Sequence, residues 1–170
     1  YDSSRRHFNL FFDNAWNSLV EMDSYGHDVE AGWLLCEAAR VLEDRQLMDR
    51  ANRLALDVTD ACLAEGLSDK GYMMYEKKGG RTTGHASWWG QIETMIACVN
   101  AWQISGNDVY LQSADTVWTF VKDCMIDREY GEWYSDCFDG EPKKDTPKVS
   151  MWRCPYHTVR LGVEIHNRLK

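Results

Sequence analysis

Two histidines, two glutamates and three tryptophans are the residues of this 170-residue chain whose types and spacing suit chemistry. His27 and Glu30 belong to the run Ser24-Tyr25-Gly26-His27-Asp28-Val29-Glu30-Ala31-Gly32-Trp33-Leu34-Leu35 and stand three apart, so within one helical turn they share a face. A base beside a carboxylate at a helix N-terminus can move protons. The plainer reading makes His27 a capping residue and lets Asp28 and Glu30 complement the helix dipole. His157 follows Pro155 and Tyr156 at another helix start, and Glu93 sits in a third, Trp88-Trp89-Gly90-Gln91-Ile92-Glu93. Each histidine taken alone reads as structural; two at equivalent helix mouths, each with a carboxylate in reach, favour acid–base catalysis. Trp88, Trp89 and Trp152 suit stacking on flat ligand faces. Adjacent tryptophans on a helix point roughly 100° apart, so at least one of Trp88 and Trp89 is expected to face the mouth. His7 reads as structural, and His85 and His166 as solvated.

The elements that must hold these groups follow from periodicity. His7 to Phe12 alternates with aromatic enrichment and predicts a short strand. Val29, Trp33, Leu34, Ala38, Val41 and Leu42 form a helical stripe, predicting a helix over Asp28 to Glu43, its first turn acidic. A second helix is expected over Gln46 to Ala64, with Gly66 as its stop. So short a break sets the two helices antiparallel. A strand-like run, Asp69 to Glu76, and an exposed flexible loop, Lys77 to Gly84, come next. The order then repeats after about 60 residues, longer than the common repeat periods. Helices are predicted from Ser87 to Ile104 and from Asp108 to Met125, then strand-like Asp127 to Ser135, a turn at Phe138 to Pro142, and a polar loop over Lys143 to Val149. A fifth helix opens at Pro155-Tyr156-His157. Short strands are thus expected near residues 8–12, 71–76 and 131–138. Repeated antiparallel pairs with polar, aromatic mouths suit a closed ring with one functional end, yet five helices cannot close one.

Composition narrows the class. The formal charge of −8 argues against nucleic acid or an anionic membrane as partner, and no apolar run approaches the ~20 residues of a membrane span. The segment Tyr1 to Arg6 resembles neither an initiator region nor a signal peptide, so the chain is expected to start within a longer protein. Cys36, Cys62, Cys98, Cys124, Cys137 and Cys154 form no CxxC pair and sit at no zinc-finger spacing from a histidine. A reduced, cytoplasmic protein without a disulfide framework or structural zinc is expected.

The stretches Ser24 to Leu35, Trp88 to Glu93 and Trp152-Arg153-Cys154-Pro155-Tyr156-His157 resemble the three signatures of the cellobiose 2-epimerases, a branch of the N-acylglucosamine 2-epimerase superfamily. Gly131-Glu132-Trp133 and Phe138-Asp139-Gly140 match as well, and Arg160 is retained. Thr158-Val159 departs from the Asn-Gly or Asn-Ser expected after the histidine. The resemblance implies an all-α fold, a partial (α/α)6 barrel of antiparallel helix pairs with short strands at its functional end. Residues 1–170 would be the C-terminal part of a single catalytic domain, whose partner is the N-terminal half of the same barrel. The implied reaction inverts C2 of the reducing-end sugar of a β-1,4 disaccharide, with no metal and no nucleotide cofactor. By that match His27 and His157 are the acid–base pair, Glu30 and Glu93 orient or tune them, and Trp88, Trp89 and Trp152 stack on sugar rings. The residue types agree: a C2 proton beside an aldehyde can be removed by a base of pKa near 7, giving an ene-diolate. Inversion needs a second group on the other face. Competing readings are an N-acylglucosamine 2-epimerase or mannose isomerase, a non-catalytic carbohydrate-binding helical module, and a glycosidase using Glu30 and Glu93 as paired acids.

Overall fold

The computed structural model describes residues 1–170. Helix α1 spans Tyr25–Leu42, starting three residues before the periodicity predicts, because extended Ser24 ends the preceding strand β1, Met22–Asp23. His27 and Asp28 therefore lie inside the first turn. Glu43 turns left-handed at φ 53°, and Asp44 caps helix α2, Arg45–Gly66, by accepting the amides of Gln46 and Leu47. The two-residue connection lays α1 and α2 antiparallel.

Helix α3, Trp88–Ser105, is buried without a break from Gly90 to Ala101 and packs against α1 and α2. Helix α4, Val109–Phe120, continues into a π-helical turn over Val121–Met125 and packs on α3 as well. A helix covered on so many sides loses its one-sided hydrophobic stripe, and α3 accordingly buries Gln91, Glu93, Thr94 and Asn100 along with its apolar residues. Tyr25, Val29, Trp33, Val58, Ile92, Ile96, Val117 and Val121 belong to one core between these helices. Helix α5, Tyr156–Arg168, lies on α3 with no fully buried residue.

The fold class is as the sequence implies: helices carry the chain, and the strands are short and antiparallel. Strand positions differ from expectation. One sheet joins β1 to the hairpin β2–β3, Glu76–Lys78 and Arg81–Thr83. The exposed Lys77–Gly84 segment is thus a hairpin rather than a loose loop, turned by Gly79 and Gly80, whose φ values of 53° and 74° suit a two-glycine turn. The other sheet is β4–β5–β6, Ala86–Ser87, Asp136–Phe138 and Glu141–Pro142. No strand forms over residues 8–12. His7 bridges Asp2, Phe12 bridges Ser18, and the Phe8 amide donates to the Asp28 carboxylate at 2.8 Å, so a side chain takes the place of a ladder partner. The same substitution limits 71–76 to Glu76, because the Met73 amide and carbonyl bond the side chain of Gln91 at 2.8 Å each. Over 131–138 only Asp136–Phe138 is a strand; buried Arg153 bonds the Trp133 carbonyl and the Ser135 hydroxyl.

Candidate active site

The N-terminal turns of α1, α3 and α5 converge at one end of the helices. The Trp89 ring packs against both histidines, 4.6 Å from His27 and 6.0 Å from His157 between centroids, and Trp88 meets His157 edge-on at 6.3 Å. Trp89 reaches this place because residue 26 is glycine: a Cβ there would stand 2.6 Å from the Trp89 ring.

The histidines are held differently. His157 Nδ1 is 2.7 Å from Glu93 Oε1. Glu93 is wholly buried and takes two further donors, Trp33 Nε1 at 2.9 Å and an Arg160 nitrogen at 3.0 Å. An ionised carboxylate can only accept, so Nδ1 carries the proton and Nε2 keeps its lone pair. His27 Nδ1 instead meets Ser24 Oγ at 2.8 Å. A hydroxyl both donates and accepts, so Ser24 serves either tautomer of His27. In both rings Nε2 is left uncommitted by the protein.

Glu30, expected to orient His27, bonds Arg160 at 2.6 Å instead, because Arg160 reaches across from α5 and joins Glu30 to Glu93. The Arg160 guanidinium also stacks over Tyr156 at 4.1 Å. Glu30, Glu93 and His157 place ligand-type atoms within 4.8 Å of one another; the Arg160 cation already bonds both carboxylates there. Asp28 departs furthest from its dipole-complementing role. It is wholly buried, and its carboxylate turns back to the Phe8 amide and to His7 Nδ1 at 2.7 Å. Burial pushes the Asp28 carboxyl up against the pull of His7.

The tryptophans separate. Trp89 lines the mouth; Trp88 is half-buried against the core beneath the Arg153 guanidinium, 4.9 Å from its ring. Trp152 is 85% exposed and stacks on neither histidine, because the Ser150–Arg153 turn buries Arg153 and turns its neighbour outward. His85 is not solvated, since it stacks between Tyr75 at 4.6 Å and Phe138 at 5.1 Å; His166 is exposed. Ser24, Trp33 and Arg160 were not assigned from sequence. The i−3 spacing of Ser24 from His27 and the i+3 spacing of Arg160 from His157 are the signals that point to two of them.

The sequence profile of the N-acylglucosamine 2-epimerase (GlcNAc 2-epimerase) family matches residues 2–160. The chain is 40% identical over 169 residues to a cellobiose 2-epimerase of Bacteroides fragilis, covering 96% of this chain and 42% of that protein. Among solved structures, a sugar epimerase from a ruminal bacterium superposes with a TM-score of 0.95 at 35% identity, over 99% of this chain and 43% of the other. The cellobiose 2-epimerase of Bacillus thermoamylovorans B4167 superposes at 0.91 with 33% identity, with the same coverage of each chain. The chain thus spans less than half the length of these relatives.

Proposed function

The chain belongs to the N-acylglucosamine 2-epimerase family, and from that premise we propose that residues 1–170 form the C-terminal part of one (α/α)6 catalytic domain that inverts C2 of the reducing-end glucose of cellobiose-like β-1,4 disaccharides. The observation that carries the reading is the pair of histidines that meet at Trp89, each with Nδ1 engaged and Nε2 open.

With the sugar as its open-chain aldehyde, one imidazole takes the C2 proton on its lone pair. The C2–H electrons become the second C1–C2 bond while the carbonyl π pair moves onto O1, giving an ene-diolate; reprotonation at C2 reverses both shifts. The other imidazole, as imidazolium, returns a proton to C2 from the opposite face. His157 suits the base in one direction, because Glu93 holds its lone pair on Nε2 and steadies the imidazolium that forms. His27 suits the complementary partner, because the Ser24 hydroxyl accommodates either tautomer. Trp89, in contact with both rings, supplies an apolar face for the sugar. Glu30 acts with Arg160 to fix Glu93. The chemistry asks for no metal, and Arg160 supplies the charge that faces Glu30 and Glu93.

The test uses the complete protein with cellobiose, N-acetylglucosamine and mannose. Replacing His27 or His157 by Asn should lower epimerisation of cellobiose by at least ~10²-fold while sugar binding persists. In heavy water one variant should still exchange the C2 proton of one epimer without inverting it, and wild-type turnover should persist in chelator well below the melting temperature. Near wild-type turnover by both variants would sink the two-histidine mechanism; preference for N-acetylglucosamine or mannose would move the substrate to another branch of the family.

A further inference from the structure

His7 lies outside the cluster of helix mouths and is 1% exposed. Its Nδ1 is 2.7 Å from Asp28, and its Nε2, fully buried, has no hydrogen-bond partner. Nε2 faces Glu65 Oε1 at 3.6 Å, beyond hydrogen-bond range. His7, Asp23 and Glu65 each place one ligand-type atom within 4.8 Å of the other two. Each carboxylate commits one oxygen to a cation, Asp23 Oδ1 to Arg5 and Glu65 Oε2 to Lys77, and has the other to offer.

We propose that His7, Asp23 and Glu65 form a structural site for a divalent first-row transition ion such as Zn²⁺, separate from the epimerase site. Two ligands about 2.1 Å from such an ion at a tetrahedral angle stand ~3.4 Å apart, close to the 3.6 Å observed between His7 Nε2 and Glu65 Oε1. Asp28 completes the arrangement usual for a metal-bound histidine: a carboxylate on the far ring nitrogen fixes the tautomer that leaves Nε2 free. One nitrogen with two carboxylate oxygens favours zinc or manganese over calcium or magnesium, which take oxygen ligands. The site opens on a cleft of about 360 Å³ lined by polar residues, including Glu21 and Arg6, through which a hydrated ion can enter. Arg6 is engaged by Asp57. Around the site Glu21, Asp23, Asp28 and Glu65 outnumber Arg5 and Lys77, so the ion's charge is compensated. Bound there, it ties the N-terminal segment and β1 to the last turn of α2, and through Asp28 it steadies the turn that carries His27.

The complete protein, stripped with chelator, is titrated with Zn²⁺ by calorimetry and with Co²⁺ by absorption. Saturable binding, visible Co²⁺ bands of a four-coordinate site and a rise in melting temperature of at least ~2 °C at a hundred times Kd are expected. Glu65→Gln, at a partly exposed position, should weaken binding at least ~10-fold and remove the melting shift with wild-type apo stability; Asp23→Asn should weaken binding to a similar degree, on an apo protein already destabilised by loss of the Arg5 pair. The proposal is overturned if wild type binds neither ion saturably, or if both variants bind as wild type does. Because the readouts are binding and melting, they stand apart from any failure of the epimerase reading.

Discussion

At the residue scale the two candidate catalytic histidines differ in what holds them, and the difference is testable. Ser24→Ala removes the only side-chain partner of His27 Nδ1. Turnover should fall about 10-fold, the scale of one lost hydrogen bond, with KM nearly unchanged and the pH–rate profile displaced. An unchanged profile would mean that Ser24 does not govern His27. Gly26 matters for space. A methyl group there would stand 2.6 Å from the Trp89 ring, so Gly26→Ala should displace the ring from its contacts with the histidines and lower kcat/KM by ~10-fold or more. Steady-state kinetics together with tryptophan fluorescence would show whether the ring moved.

At the element scale the hairpins and sheets act as braces, and His85 shows how. It stacks between Tyr75 beside β2 and Phe138 of β5, with Asp136 3.6 Å away and Glu76 nearby. Burial holds its imidazole below the usual histidine range, against the pull of those carboxylates. The unfolded chain therefore takes up the proton first on acidification. Stability should be full above the unfolded value near 6.5 and fall as the pH drops from about 7 through 6.5 toward the lower folded value. Urea midpoints across that range should fall for wild type and stay flatter for His85→Gln; equal slopes would contradict the stack. The strands lie elsewhere than sequence alternation predicts, for a related reason. Gln91, Asp28 and Arg153 bond the backbone of segments that alternate like strands, so pairing is completed by distant side chains that periodicity does not register.

At the scale of the whole molecule, the faces without cover are informative. Leu34, Leu35, Val41 and Leu42 of α1 are exposed, as are Val159 and Val163 of α5. Since the chain spans 42% of its Bacteroides fragilis relative, we propose that the other part of the barrel packs on these faces. Leu35→Asp should then destabilise the complete protein by about 2–3 kcal/mol, whereas Met151→Asp, at a position 88% exposed, should not. Thermal melts of the two variants decide it, and equal melting would place Leu35 on the outer surface.

The sequence by itself determined the helices, their order and the mouths that carry His27, Glu93 and His157, because a helix writes its apolar face into local spacing and its first turn into capping and charge. Only the tertiary structure decided which partners those groups take. Glu30 sits three residues from His27 yet bonds Arg160, 130 positions away, and Asp28 turns from the helix mouth to His7. Trp152, grouped with the site by its place at a helix mouth, is 85% exposed in this chain. Spacing along a helix fixes which side chains can meet within it. The identity of the charge arriving from another helix is set by packing, and a buried carboxylate bonds whichever donor that packing delivers.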